Sequence, residues 1–345
     1  MRLSQFFPIL FFFLLCACLS EKKQAEKLVP LGWQILETPT QASLRGLSPL
    51  TSEIVWASGS NGTWLRTIDG GETWDHGVID GLDSVDFRDI EAFDAATAVA
   101  ISAGQPAVVY RTEDGGKVWG KIFEGDKRDF FDGMAFYKGR GYIIGDEVEG
   151  RWRVLVSRDA GKTWEILETS PKADPGSGSF AASGSGILTY ENHVWFASGG
   201  VKSTVFHSSD RGVNWEEVPT PIVQGEASQG IFSMTRIDQN LLFAVGGDFL
   251  QPDLANNNAI ISTQLGKSWS LINGGFPSGY RSGVTYFPLQ HWLITVGPNG
   301  SDFSANTGTD WEKFSDEALH AVFVDRSQSS VWASGPDGKI AKLLY

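Results

Sequence analysis

Apolar residues in this chain come in short runs, rich in β-branched and aromatic side chains and cut by Gly, Asn, Asp or Pro. Such runs predict strands, because stiff side chains suit a pleated surface and the interrupting residues suit turns. One stretch shows the series: Phe87-Arg88-Asp89-Ile90-Glu91-Ala92-Phe93, then Ala98-Val99-Ala100-Ile101-Ser102, then Val108-Val109-Tyr110-Arg111-Thr112. A turn and a Trp then lead into a fourth strand. Outside the N-terminus no stretch repeats its apolar residues at the period of an amphipathic helix. The chain reads as all-β.

The turn before that Trp is nearly the same each time. Ser/Thr-x-Asp-x-Gly-x-Thr-Trp occurs six times in full or degenerate form, as Thr67–Trp74, Thr112–Trp119, Ser157–Trp164, Ser208–Trp215, Ser262–Trp269 and Ser304–Trp311. The Asp carboxylate is placed to accept backbone N–H groups, the Gly to take a positive φ, and the Trp to cover the turn. Gln264 and Asn306 replace the Asp in the last two copies. A role that survives loss of charge is turn building, so Asp69, Asp114, Asp159 and Asp210 are assigned to structure.

Repeats of this length, with Gly and Trp at fixed offsets, mark a propeller. Trp33 opens a strand that no such phrase precedes, while Val331–Ile340 supplies inner strands that end before any Trp. The two loose ends complete each other. The expected fold is a seven-bladed β-propeller of four-stranded blades, its last blade closed by the N-terminal strand, which removes exposed sheet edges.

The N-terminus runs from Arg2 through the apolar segment Phe6–Leu15 to Leu15-Cys16-Ala17-Cys18. This is the layout of a secretory signal, too short in its apolar part to span a bilayer as a helix. Small Ala17 before Cys18 matches a bacterial lipoprotein signal, which makes Cys18 the lipidated residue; bulky Leu15 disfavours Cys16. Residues 1–17 are read as signal peptide, 18–30 as tether and 31–345 as one propeller domain. Localisation follows: exported, and lipid-anchored in the bacterial cell envelope.

Lys and Arg number 28 against 41 Asp and Glu, a net charge of −13. That balance disfavours nucleic acid, which needs a basic stripe, and leaves the lipid as the only membrane contact. The five His residues are scattered without metal-ligand spacing, and no nucleophile elbow or dinucleotide fingerprint is present. No metal or cofactor is expected, and the domain reads as a monomer.

Chemistry is expected where the inner strands begin, around the mouth of the central channel. Aligned there are Leu44-Arg45-Gly46, Phe87-Arg88-Asp89, Phe131-Asp132-Gly133, Phe180-Ala181-Ala182, Gly230-Ile231-Phe232, Tyr280-Arg281-Ser282 and Leu319-His320-Ala321. This register places Arg45, Arg88, Asp132, Arg281 and His320 in one ring, with Asp248 and Asp302 on neighbouring loops. Converging guanidinium groups would form a receptor for carboxylate or phosphate oxygens. The competing arrangement pairs Arg88 with Asp132, and Arg281 with Asp302 or Asp248, to neutralise charge along a wet channel. The Gly- and Ser-rich loop 169–179 reads as a flexible rim, and the loop 248–258 as the longest insertion on this face.

The repeated phrase resembles the Asp-box, or bacterial neuraminidase repeat, of sialidases, sortilin-type receptors, xyloglucanases and the photosystem II stability/assembly factor family. The last group is the most similar, with a single propeller of seven blades and Arg at the Arg88 and Arg281 positions. The resemblance covers residues 31–345. The six-bladed sialidases carry an Arg-Ile-Pro signature absent here, and xyloglucanases of this type use two propellers. The resemblance implies a binding or assembly scaffold for an envelope protein segment or an anionic glycan. The alternative is a glycan-active enzyme, a glycoside hydrolase or sialidase-like protein working through carboxylates on the same face.

Overall fold

The computed structural model describes residues 28–345. They form seven antiparallel sheets, each built around four strands, and no helix. Blade 2 shows the plan, with strands Asp86–Ala92, Ala98–Ala103, Val108–Thr112 and Gly120–Glu124 from the channel outward. The remaining inner strands, blades 1 and 3 to 7 in order, are Leu44–Pro49, Phe131–Tyr137, Ile187–Tyr190, Gln229–Arg236, Gly283–Phe287 and Ala321–Val324. The seven-bladed propeller predicted from the repeats is the fold observed.

Closure also follows the prediction. Gly32–Leu36 pairs antiparallel with Ile340–Leu344, with Trp33 opposite Leu343 and Ile35 opposite Ala341. The seam is packed as a core: Leu44, Val55 and Leu65 of blade 1 meet Trp332 and Ile340 of blade 7. On the other side of blade 7, Trp33 and Leu343 pack with Ile294, Val296 and Phe303 of blade 6. Each core lies between two blades, so a blade is stable only with its neighbours.

The repeated turns are built as their sequence requires. Thr67 Oγ1 accepts from Gly71 N at 2.9 Å and donates to Asp69 Oδ1 at 2.7 Å, while Asp69 Oδ1 accepts from Thr73 N at 2.9 Å. Hydrogen bonds from the Thr73 side chain and backbone hold the Asp69 pKa down to about 2. Asp114, Asp159 and Asp210 accept the equivalent N–H at 3.0, 2.9 and 2.8 Å. Asn306 keeps this bond without charge, from Asp310 N at 2.9 Å. At Gln264 the backbone carbonyl accepts instead, from Lys267 N at 3.2 Å. Gly71 takes φ 93°, and the residue before each such Gly is left-handed as well, including Ala160, Leu265 and Thr307.

The rim loop 169–179, expected to be flexible, is tied down. Ala173 N donates to Gly150 O, Ser179 N to Asp146 Oδ1, and Ser177–Gly178 pairs with Gly199–Gly200. Gly199 in turn pairs with Gly230, which extends the blade 5 sheet to six strands. Backbone polar groups that the sequence left unassigned find partners in the neighbouring blade.

Candidate functional site

The channel mouth is shaped by bulges. In blades 1, 2, 3 and 5 the inner strand slips register at its start, between Leu44/Gly46, Asp86/Asp89, Phe131/Gly133 and Ile231/Ser233. A bulge takes a residue out of the ladder and re-aims its side chain. Arg45, Arg88, Asp132 and Phe232 occupy these slipped positions. Pairing resumes at Gly46↔Ser58 in blade 1 and at Gly283↔Val296 in blade 6. The blade 6 counterpart of Arg45 is therefore Ser282. In blade 7, Ala321↔Ser334 makes His320 the counterpart.

This register corrects the expected ring. Arg281 lies one position outside it and is 0% exposed. Its Nε and Nη2 reach Asp302 Oδ2 at 2.7 and 2.5 Å, and Ser278 N and Oγ also donate to that carboxylate. Arg281 and Asp302 form a buried clamp away from the mouth. Asp248 likewise serves its own loop, accepting from Leu250 N at 2.9 Å and from the Gln229 amide at 3.1 Å. The expected Arg88–Asp132 pair is replaced by Arg88–Asp86, with Nε to Oδ2 at 2.7 Å. Asp132 is buried, and neither of its carboxylate oxygens has a hydrogen-bond partner among the described residues. Burial, reinforced by the Asp146 charge, raises its pKa well above the ordinary range.

Arg45, Arg88 and His320 do come together. They line a cavity of about 300 Å³ with Phe180, Ala181, Ala182, Phe232, Phe249, Tyr280, Ser282 and Pro298. Burial, followed by the nearby Arg45 and Arg88 charges, pushes the His320 pKa down to about 3. His320 is thus a neutral ring, its Nε2 3.1 Å from Ser43 Oγ. The positive charge comes from the two arginines.

The floor of this cavity is the segment Phe180-Ala181-Ala182. The blade 4 inner strand, expected to begin at Phe180-Ala181-Ala182, pairs only from Ile187↔Phe196. Residues 180–185 instead cross the channel. Arg45 Nη1 donates to Ala182 O at 2.9 Å and Arg88 Nη1 to Ala181 O at 3.5 Å. Ser183 Oγ donates to Ser282 O in blade 6 at 2.7 Å, and Ser185 Oγ lies 2.6 Å from Ser233 Oγ in blade 5. Gly184, at φ 74°, fits because a Cβ there would stand 2.5 Å from the Asp89 carboxylate of blade 2. The plug divides the channel. Beyond it lies a second cavity of about 260 Å³, lined by Asp89, Glu91, Gly184, Ser185 and Arg326 among others. Glu91 and Arg326 form an ion pair at 2.5 Å across it.

Sequence reasoning also missed the aromatic side of the upper cavity. Phe180 and Phe232 stack with centroids 3.8 Å apart and planes at 11°. Tyr280 stands edge-on to Phe232 at 4.7 Å, and Phe249 approaches it at 6.2 Å. Aromatic residues in a β-rich sequence read as core, and no charge marks these as a wall.

A family model described as photosynthesis system II assembly factor YCF48 matches residues 25–129. A search of curated protein sequences gives no match. Among solved structures, YCF48 bound to a D1 peptide aligns with a TM-score of 0.61 and 16% identity, covering 91% of this chain and 95% of that one. YCF48 from Cyanidioschyzon merolae gives 0.59 and 16%, over 90% and 98% of the two chains. The GH74 xyloglucanase from Xanthomonas campestris gives 0.62 and 14%, over 90% of this chain but 53% of its own. At these identities the structural likeness is one of fold. The chain resembles the assembly-factor propellers in sequence over its first third and in architecture over nearly all of its length.

Proposed function

We propose that this protein is a non-enzymatic, lipid-anchored propeller of the bacterial cell envelope that holds a protein segment at its plugged channel mouth. Arg45 and Arg88 supply the anchor for a carboxylate of that segment. The observation that carries this reading is the composition of the upper cavity: two guanidinium groups face it, its lining contains no carboxylate, and Asp86, which pairs with Arg88 Nε, lies outside that lining. Each arginine spends part of its donor set on the plug or on Asp86, leaving N–H groups for a ligand. The likeness to a YCF48 bound to a D1 peptide supports a peptide as the occupant. The glycan-active alternative fits less well, because Asp132, Asp248 and Asp302 all lie outside that lining.

Lipidation at Cys18 and export belong to the same proposal. Cys16 and Cys18 lie outside the described residues, and the support is the sequence Leu15-Cys16-Ala17-Cys18 after an apolar run. Cys18→Ser should release the protein from the membrane fraction.

The binding test titrates fluorescent acidic peptides and uronate oligosaccharides against wild type and Arg45→Ala/Arg88→Ala. Peptide binding that drops at least tenfold in the variant, with no uronate binding, is the expected result. Peptide binding unchanged by the variant refutes the site. Arginine-dependent uronate binding without peptide binding makes the ligand an anionic glycan, and turnover of those oligosaccharides restores the enzyme reading.

A further inference from the structure

The upper cavity has two unlike walls, and the second constrains what the first can hold. Arg45, Arg88 and Ser282 form the polar side. The same lining holds an aromatic cluster: Phe180, Phe232 and Tyr280 fix one another through the stacked and edge-on contacts, with Phe232 and Tyr280 buried and Phe180 partly exposed to the cavity. Tyr280 is nearly buried, so its ring is held in place. Phe249 continues this wall to the rim at 46% exposure. The loop then presents Leu250 at 73% and Leu254 at 43%, an apolar edge rising out of the cavity. Large exposed apolar groups gathered at a cavity mouth mark a recognition surface.

We infer that the site reads an apolar or aromatic side chain next to the carboxylate of its partner segment, with Phe249 as the main specificity-determining residue. The inference rests on the peptide-binding reading above. A carboxylate held by the two guanidinium groups turns its neighbouring residue toward the aromatic wall across a cavity of about 300 Å³. A polar neighbour would be desolvated there without partners, whereas Leu or Phe would be covered on both sides. The rim alternates Leu250 and Leu254 with Gln251 and Asp253, and Asp253 is engaged by Asn299. A surface of mixed polarity suits a polypeptide, with its regular backbone polar groups, over a bare acyl chain.

The experiment uses fluorescein-labelled hexapeptides that carry one Glu in a Gly/Ser background and differ only in the residue before it: Ser, Leu or Phe. Burying such a side chain predicts that the Leu and Phe peptides bind wild type at least tenfold more tightly than the Ser peptide. In Phe249→Ala that preference should fall to about threefold or less, while the Ser peptide keeps its affinity and its dependence on Arg45 and Arg88. Phe249 is exposed enough for the variant to fold, which a melting curve checks. Arginine-dependent binding with no preference for Leu or Phe, or a preference that survives Phe249→Ala, overturns this inference and leaves the peptide reading standing. Loss of all arginine dependence removes both. Laurate displacing the Phe peptide while binding more tightly than it overturns the peptide in favour of a lipid acid.

Discussion

Removing the charge of Asp302 should destabilise the propeller more than any change at the cavity itself. Asp302→Asn leaves the Arg281 guanidinium at 0% exposure without its counter-charge, and weakens contacts at 2.7 and 2.5 Å. Two unit charges about 3 Å apart attract by on the order of 5 kcal/mol at an effective dielectric of about 20. Part of that offsets desolvation in the wild type, but the variant keeps the buried cation and loses the attraction. A loss of about 3–5 kcal/mol is expected. Replacing both partners by apolar residues, Arg281→Met/Asp302→Leu, should recover most of it, because no charge is then left buried. The contrast is Asp86→Ala, which breaks the Arg88 pair where the side chains are 36% and 27% exposed and should cost under about 1 kcal/mol. Urea unfolding followed by tryptophan fluorescence reads all three, with 13 Trp residues giving ample signal. A loss below about 1 kcal/mol for Asp302→Asn, or a double variant no better than the single one, would refute the placement of Arg281 as a buried clamp.

Other outcomes follow from the same geometry. Gly184→Ala should cost more than about 2 kcal/mol in unfolding experiments, since it combines a left-handed Ala with a clash against Asp89. Thr307→Gly should raise the unfolding free energy by about 1 kcal/mol, because an exposed β-branched residue is relieved of φ 58°. His320 and His207 have folded pKa values of about 3 and 4, both below the unfolded value. Their contribution is present above about pH 6.5 and is lost as the pH falls toward those values, because the unfolded chain takes up the protons first. His320→Gln should flatten the pH dependence of stability between pH 6.5 and 4. Neutral His320 also predicts that carboxylate binding stays constant from pH 8 to 5, read by the peptide titration.

The repeats made the ring, the closing strand and the turn chemistry legible, because each is encoded by residues close in sequence. Register at the channel was not. Arg88 and Arg281 sit in similar local patterns, Phe87-Arg88-Asp89 and Tyr280-Arg281-Ser282, yet one meets solvent and the other a buried Asp302. A bulge ahead of Asp89 changes the count by one, and a one-residue slip reverses the side chain. The plug was hidden for a related reason. Phe180-Ala181-Ala182 has the apolar look of a strand start, and only partners on blades 1, 2, 5 and 6 reveal that it spans the channel. Phe249 gave no signal beyond its place in a long loop.

Pairing of Gly32–Leu36 with Ile340–Leu344 carries a biosynthetic consequence. During translation strand Gly32–Leu36 must wait for Ile340–Leu344 to be made, so the circle stays open while all the intervening blades are synthesised. Growing intermediates expose two unsatisfied borders, one at each end of the arc, and are vulnerable to intermolecular pairing throughout.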